Sequence, residues 1–249
     1  MKAWGLVAAT TVLWIAMPTT SAAQGYQVQP MLATIAPSGP NARLTMSIKN
    51  TGAVPITLEM TPFRATVDGD GAASRVDEAK DVLIYPAQTE VAPGKEQTVQ
   101  VRYIGDPAIA DARMYGVRVS QLPISAPGFV PAVGTSGASS DVKVSFNFLS
   151  HVIVSPDKAK AVIAVKDVGR APNGDLMLTI TNTGPGIAVL NASNFTLTDT
   201  AGKSVVLEPD SLKIGEFSAF MPRQSRRASV PAKLLVGLVG TITPTLTVQ

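Results

Sequence analysis

"ARLTMSIKNTG", residues 42–52, sets Leu44, Met46 and Ile48 against Arg43, Thr45, Ser47 and Lys49, then turns at Asn50-Thr51-Gly52. Successive strand side chains point to opposite faces, so the stretch has one face for a core and one for water. Its glycine suits the turn, because a residue without Cβ reaches positive φ at little cost. The same device returns 132 residues later in "DLMLTITNTG" (175–184), which ends at Asn182-Thr183-Gly184. A second echo follows in the same order: "VAPGKEQTVQV" (91–101) and "FMPRQSRRASV" (220–230) both place a Pro turn before a polar, basic strand. Short β runs bounded by Gly, Pro and Asn recur about every ten residues from position 26 onward. The chain reads as all-β, and the paired echoes predict two related sandwich domains.

Length and composition agree with this reading. The chain has 249 residues, of which 45% are hydrophobic, enough for two cores. The boundary is expected near Ser155-Pro156-Asp157, where a proline interrupts an apolar run, giving an N-terminal domain over 24–155 and a C-terminal one over 156–249. Residues 1–23 have the pattern of an export leader: Lys2, a mostly apolar stretch from Ala3 to Met17, and the small residues Ser21-Ala22-Ala23. Cleavage would leave Gln24 first. The apolar run is broken by Thr10 and Thr11 and falls short of the roughly 20 residues that span a bilayer, so no stable membrane insertion is expected afterwards.

Several function classes drop out. With no cysteine there is neither a disulfide framework nor a thiol nucleophile, and a single histidine, His151, excludes multi-histidine metal sites. A net charge of +3 is too weak to imply nucleic acid. No G-x-S-x-G elbow or other nucleophile motif accompanies His151, so no enzyme activity, metal or cofactor is expected. Two stretches look loosely held. "VDGDGAASRVDEAKD" (67–81) reads as a long polar loop, and "SAPGFVPAVGTSGASS" (125–140) as a mobile Gly-, Ser- and Pro-rich lead.

That lead runs into "DVKVSFNFLSHVIVSP" (141–156), where Val142, Val144, Phe146 and Phe148 occupy alternate positions before a continuous apolar run. Alternation by itself reads as an ordinary strand buried between sheets. The order of the surrounding motifs points elsewhere. "LTMSIKNTG", "LIYPAQTEVAPGKEQTVQVRY", "DARMYGVRVSQLPI" and "DVKVSFNFLSHVIVSP" follow one another as in the PapD-like periplasmic pilus (fimbrial) chaperones, which the chain resembles across residues 26–156 and more thinly beyond.

The resemblance implies two immunoglobulin-like β-sandwich domains in an L-shaped arrangement, a periplasmic location and a non-enzymatic role without cofactors. The partners it implies are pilus or coat subunits and an outer-membrane usher. A chaperone of this kind lends a strand to a subunit whose sandwich lacks one, and alternate side chains fill successive pockets. Val142, Val144 and Phe146 take that role here; Phe148 continues the face and either enters the client or begins the domain's own packing. The family's two basic residues, which hold the client's terminal carboxylate, fall on Thr34 and His151. Neither is Arg or Lys, so Arg118 and Lys143 stand as substitutes, with His151 as a solvated strand residue the alternative. Arg102 matches a strand arginine that the family pairs with an acid, for which Asp111 is the nearest residue, in a structural role. The rival to a chaperone is an exported structural or adhesive protein built on the same sandwich.

Overall fold

The structure, a computed structural model, describes residues 25–77, 79–123, 145–190, 194–208, 211–215 and 217–247. The expected leader, the 125–140 lead, Val142, Lys143 and Val144 lie outside the described residues.

Among the described residues, ten strands precede Pro156: β1 (Tyr26–Gln29), β2 (Leu32–Ile35), β3 (Arg43–Asn50), β4 (Ile56–Val67), β5 (Ala73–Asp77), β6 (Val82–Tyr85), β7 (Gln88–Val91), β8 (Glu96–Tyr103), β9 (Arg113–Gln121) and β10 (Asn147–Val154). They form two sheets, β1-β3-β8-β6 and β2-β10-β9-β4-β5, with β7 also on β4. β2 and β10 run parallel and the other pairs antiparallel. Met46, Ile48, Leu58, Val99, Val101, Tyr115, Val117 and Val152 fill the space between the sheets. The alternation of residues 42–52 is realised: Met46 and Ile48 are buried, Leu44 packs half-buried beside them, and Arg43, Thr45 and Lys49 face water.

Eight more strands follow: β11 (Ile163–Arg170), β12 (Leu176–Asn182), β13 (Ala188–Val189), β14 (Asn194–Thr198), β15 (Ser204–Leu207), β16 (Ala219–Phe220), β17 (Ser225–Val230) and β18 (Thr243–Thr247). Their sheets, β11-β12-β17, β13-β16 and β15-β14-β18, enclose Leu178, Ile180, Phe195, Leu197, Phe220 and Val230. The chain is a two-domain β-sandwich protein. The sequence echoes meet as strand pairs, β3 with β8 and β12 with β17, and the main-chain N–H groups of Asn50 and Asn182 donate to Lys95 and Gln224 at 2.9 and 2.8 Å.

The stretch 67–81 differs from expectation. It is no long loop but the tip of a hairpin, in which β5 pairs with Phe63–Val67 of β4. The Asp68 carboxylate closes the turn by accepting the N–H groups of Asp70 and Ala72, both at 2.9 Å. The strand escaped notice because it lies at a sheet edge. Ser74, Arg75, Val76 and Asp77 are all exposed, so no core-facing alternation marks it.

This hairpin docks on the second domain. Phe63, Ala65, Ala112, Met114 and Ile153 pack with Ala219, flanked by Leu149, Ile187, Val189, Phe217 and Met221. Beside this apolar seam, Gln224 Nε2 donates to the carbonyls of Val67 and Asp68, both at 2.7 Å, and Ala112 N donates to Pro185 O at 2.8 Å. Gly71 and Gly215 lie back to back. A Cβ on Gly71 would sit 2.5 Å from Ile214 O, and one on Gly215 2.6 Å from Asp70 O. Arg226, only 1% exposed, lies beneath and donates to the carbonyls of Ile214, Phe217 and Ala219. Its guanidinium also stacks 4.1 Å from the Phe220 ring, and burial pulls its pKa down to about 10.

Candidate functional site

The sheet β2-β10-β9-β4-β5 turns one face to its own core and the other to the seam. Strand register orders the seam face in rows. One row runs Asp77, Phe63, Gly116, His151, Leu32, and the next runs Arg75, Ala65, Met114, Ile153, Thr34. Thr34 and His151, named as anchors from the sequence, therefore share this face in adjoining rows. Arg118 joins them on the other side of His151, opposite Thr61 and Leu149.

The chemistry of the three differs. The imidazole of His151 is set between two aromatic rings, 5.6 Å from Phe63 and 5.3 Å from Phe217. Burial first, and the charge of Arg75 second, hold its pKa below the ordinary histidine value, so it is neutral at pH 7. Gly116 makes this arrangement possible, since a Cβ there would lie 2.2 Å from the Phe63 ring and 2.5 Å from Ser150 O. Thr34 is exposed and offers a hydroxyl. Arg118 is a permanent cation whose Nη2 lies 3.0 Å from the Asp77 carboxylate, with both side chains partly open to solvent. Of the expected anchors within the described residues, Arg118 is the one that already holds a carboxylate.

One expectation is corrected. Asp111 is 3.7 Å from Arg223, across the seam, and not paired with Arg102. The reason is directional: Arg102 alternates with the buried Val101 and Tyr103 and so points away from the core on the outer face of its sheet. Phe148, left between the client and the domain's own packing, is engaged in the latter. Its ring meets that of Tyr26 edge-on at 4.8 Å and packs against the domain's own core.

Phe146, two residues earlier, is 39% exposed, just ahead of β10. The hydroxyl of Tyr26 lies 2.8 Å from both Phe146 O and Val119 O, and Gln121 N donates to Phe146 O at 3.3 Å. The apolar face thus changes role between Phe146 and Phe148. Sequence reasoning missed Tyr26 and Phe217, which belong to no motif, and Gly116, which lies within "DARMYGVRVSQLPI" without being singled out. It also missed Arg226, although its spacing from Ala228 and Val230 marks it as inward-facing.

No family model matches the chain, and no curated protein matches it. Solved structures do. The CsuC–CsuE complex of a chaperone and a tip adhesion subunit, from the archaic chaperone-usher Csu pili of Acinetobacter baumannii, matches with a TM-score of 0.55 at 12% identity, over 90% of this chain and 97% of that one. The SafB chaperone complex with the SafA pilin of Salmonella enterica matches at 0.53 and 15%, over 90% and 96%. The chaperone DraB of E. coli matches at 0.53 and 16%, over 88% and 87%. The chain has the fold of the pilus chaperones.

Proposed function

We propose that this chain is a non-enzymatic periplasmic chaperone for pilus or coat subunits. It lends the stretch Val142–Phe146 to a client's open sheet edge and passes the client to an outer-membrane usher. The observation that carries this reading is the position of Phe146, an exposed aromatic at the threshold of β10 whose same-face successor Phe148 is half-buried and packs against the domain's own core. Burying each Val or Phe contributes about 1.5–3 kcal/mol, so three anchors and a ladder of main-chain hydrogen bonds support useful and reversible affinity. The fold shared with chaperones solved alongside a tip adhesion subunit and a pilin supports the same role.

On this reading the client's end lies in the seam between a domain at 24–155 and one at 156–249. Arg118 takes its terminal carboxylate in exchange for Asp77, Thr34 adds a hydroxyl, and His151 contributes a neutral aromatic wall. The leader at 1–23 delivers the chain for export; among the described residues no helix is long and apolar enough to cross a membrane.

Affinity capture from periplasm followed by mass spectrometry tests the proposal. Small β-rich exported subunits and an usher should co-purify. A capture that returns neither supports the rival, a structural or adhesive sandwich protein, whose favouring observation is the missing cation at Thr34 and His151.

A further inference from the structure

The outer face of the sheet β1-β3-β8-β6, away from the seam, holds an arrangement that client binding does not use. Arg43 and Arg102 are direct cross-strand partners, both exposed, and among the described residues neither forms an ion pair or a side-chain hydrogen bond. Like charges placed directly opposite one another weaken a sheet, so the pair costs stability unless an anion joins it. The two line one groove with Gly39, Pro40 and Gln100. Gln100 stands two pairs along the ladder, on the same face, and is held by Thr45, to whose Oγ1 it donates at 3.1 Å, which leaves its second amide N–H for a further acceptor. β1 stops pairing at Gln29–Ser47, short of Arg43. Asp157 lines an adjoining groove that shares Arg43, but lies outside ion-pair distance of it.

We propose that this groove binds a phosphate group. A carboxylate is saturated by a single guanidinium fork, whereas a tetrahedral dianion has oxygens for both forks and for the Gln100 amide. Leu83 and Tyr85, 53% and 74% exposed, stand on the next strand opposite Arg102 and Gln100. An apolar shelf beside two cations fits a phosphate carried on an organic body, as in a lipid headgroup, as well as the free ion.

The test titrates the intact chain with inorganic phosphate at constant ionic strength, following the arginine Nε–Hε resonances. Saturable shifts are expected at Arg43 and Arg102, and Arg43→Gln and Arg102→Gln should each weaken binding about tenfold, as loss of a charge-assisted hydrogen bond implies. Phe146→Asp should leave it unchanged. Equal affinity in Arg102→Gln, or the same shifts with chloride alone, would overturn the site. Flotation with phosphatidic acid vesicles, whose headgroup is a phosphate monoester, against phosphatidylcholine, separates the sources. Flotation that both variants lose assigns the site to a lipid headgroup, and phosphate binding without flotation assigns it to soluble phosphate.

Discussion

Asn50 and Asn182 hold the same turn in the two domains. Both are fully buried. Each side-chain oxygen accepts the N–H of the glycine two residues on, Gly52 at 2.8 Å and Gly184 at 3.1 Å. The Asn50 amide donates to Val54 O and Val91 O at 2.8 and 2.9 Å, and that of Asn182 to Gly186 O and Met221 O at 2.7 and 3.1 Å. Alanine at either position strands buried carbonyls, at about 1–3 kcal/mol. Thermal denaturation should show the loss, and hydrogen exchange should confine faster opening to the domain that carries the change.

Gly116→Ala should destabilise the first domain by about 1–3 kcal/mol, because the new methyl displaces the Phe63 ring and with it the platform under His151. Gly169, whose Cβ would meet nothing within 4 Å, is the control. Urea midpoints should drop for the first variant and hold for the second.

Acid should loosen the seam through His151. Its folded pKa lies below its unfolded value near 6.5, so folding favours the neutral ring. In that window the unfolded chain binds more protons, and stability rises with pH. The contribution is complete above about pH 6.5 and is lost as pH falls through the folded value. His151→Phe, which keeps a ring between Phe63 and Phe217, should flatten the urea midpoint between about pH 5 and 7.

Phe146→Asp should abolish client capture while leaving circular dichroism and melting unchanged, since the carboxylate falls on a surface position. Phe148→Asp should instead unfold the domain, because it buries a charge against Tyr26. Unfolding by Phe146→Asp would sink the lent-strand reading.

Arg118→Gln should weaken client capture, and Asp77→Asn should strengthen it by releasing the guanidinium from its resident acid. Surface plasmon resonance with a subunit carrying a free or an amidated C-terminus checks both. The amidated form should not respond to either change.

Strands with one wet and one buried face were legible before any coordinates. Leu44, Met46 and Ile48 announced β3, and the repeated Asn-Thr-Gly turn announced the second domain. β5 was not, because an edge strand with both faces exposed has no period to detect. The partner of Asp111 was misplaced for a related reason: Arg223 approaches from the other domain, and no local spacing encodes a contact 112 residues away. For Thr34 and His151, placement on a common face was legible and the surroundings were not. Thr34 and His151 do share a face, yet only their neighbours, Phe63 and Phe217, reveal that the imidazole is a wall of the seam and not a charge.

The close approach of Gly71 to Gly215 bears on how the molecule can vary. Where two domains touch through main chain, the contact contains no side chain that substitution could trim, and any side chain added at either glycine pries the domains apart. The distance at which Phe217 of the second domain meets His151 of the first is thus set in part by main chain alone.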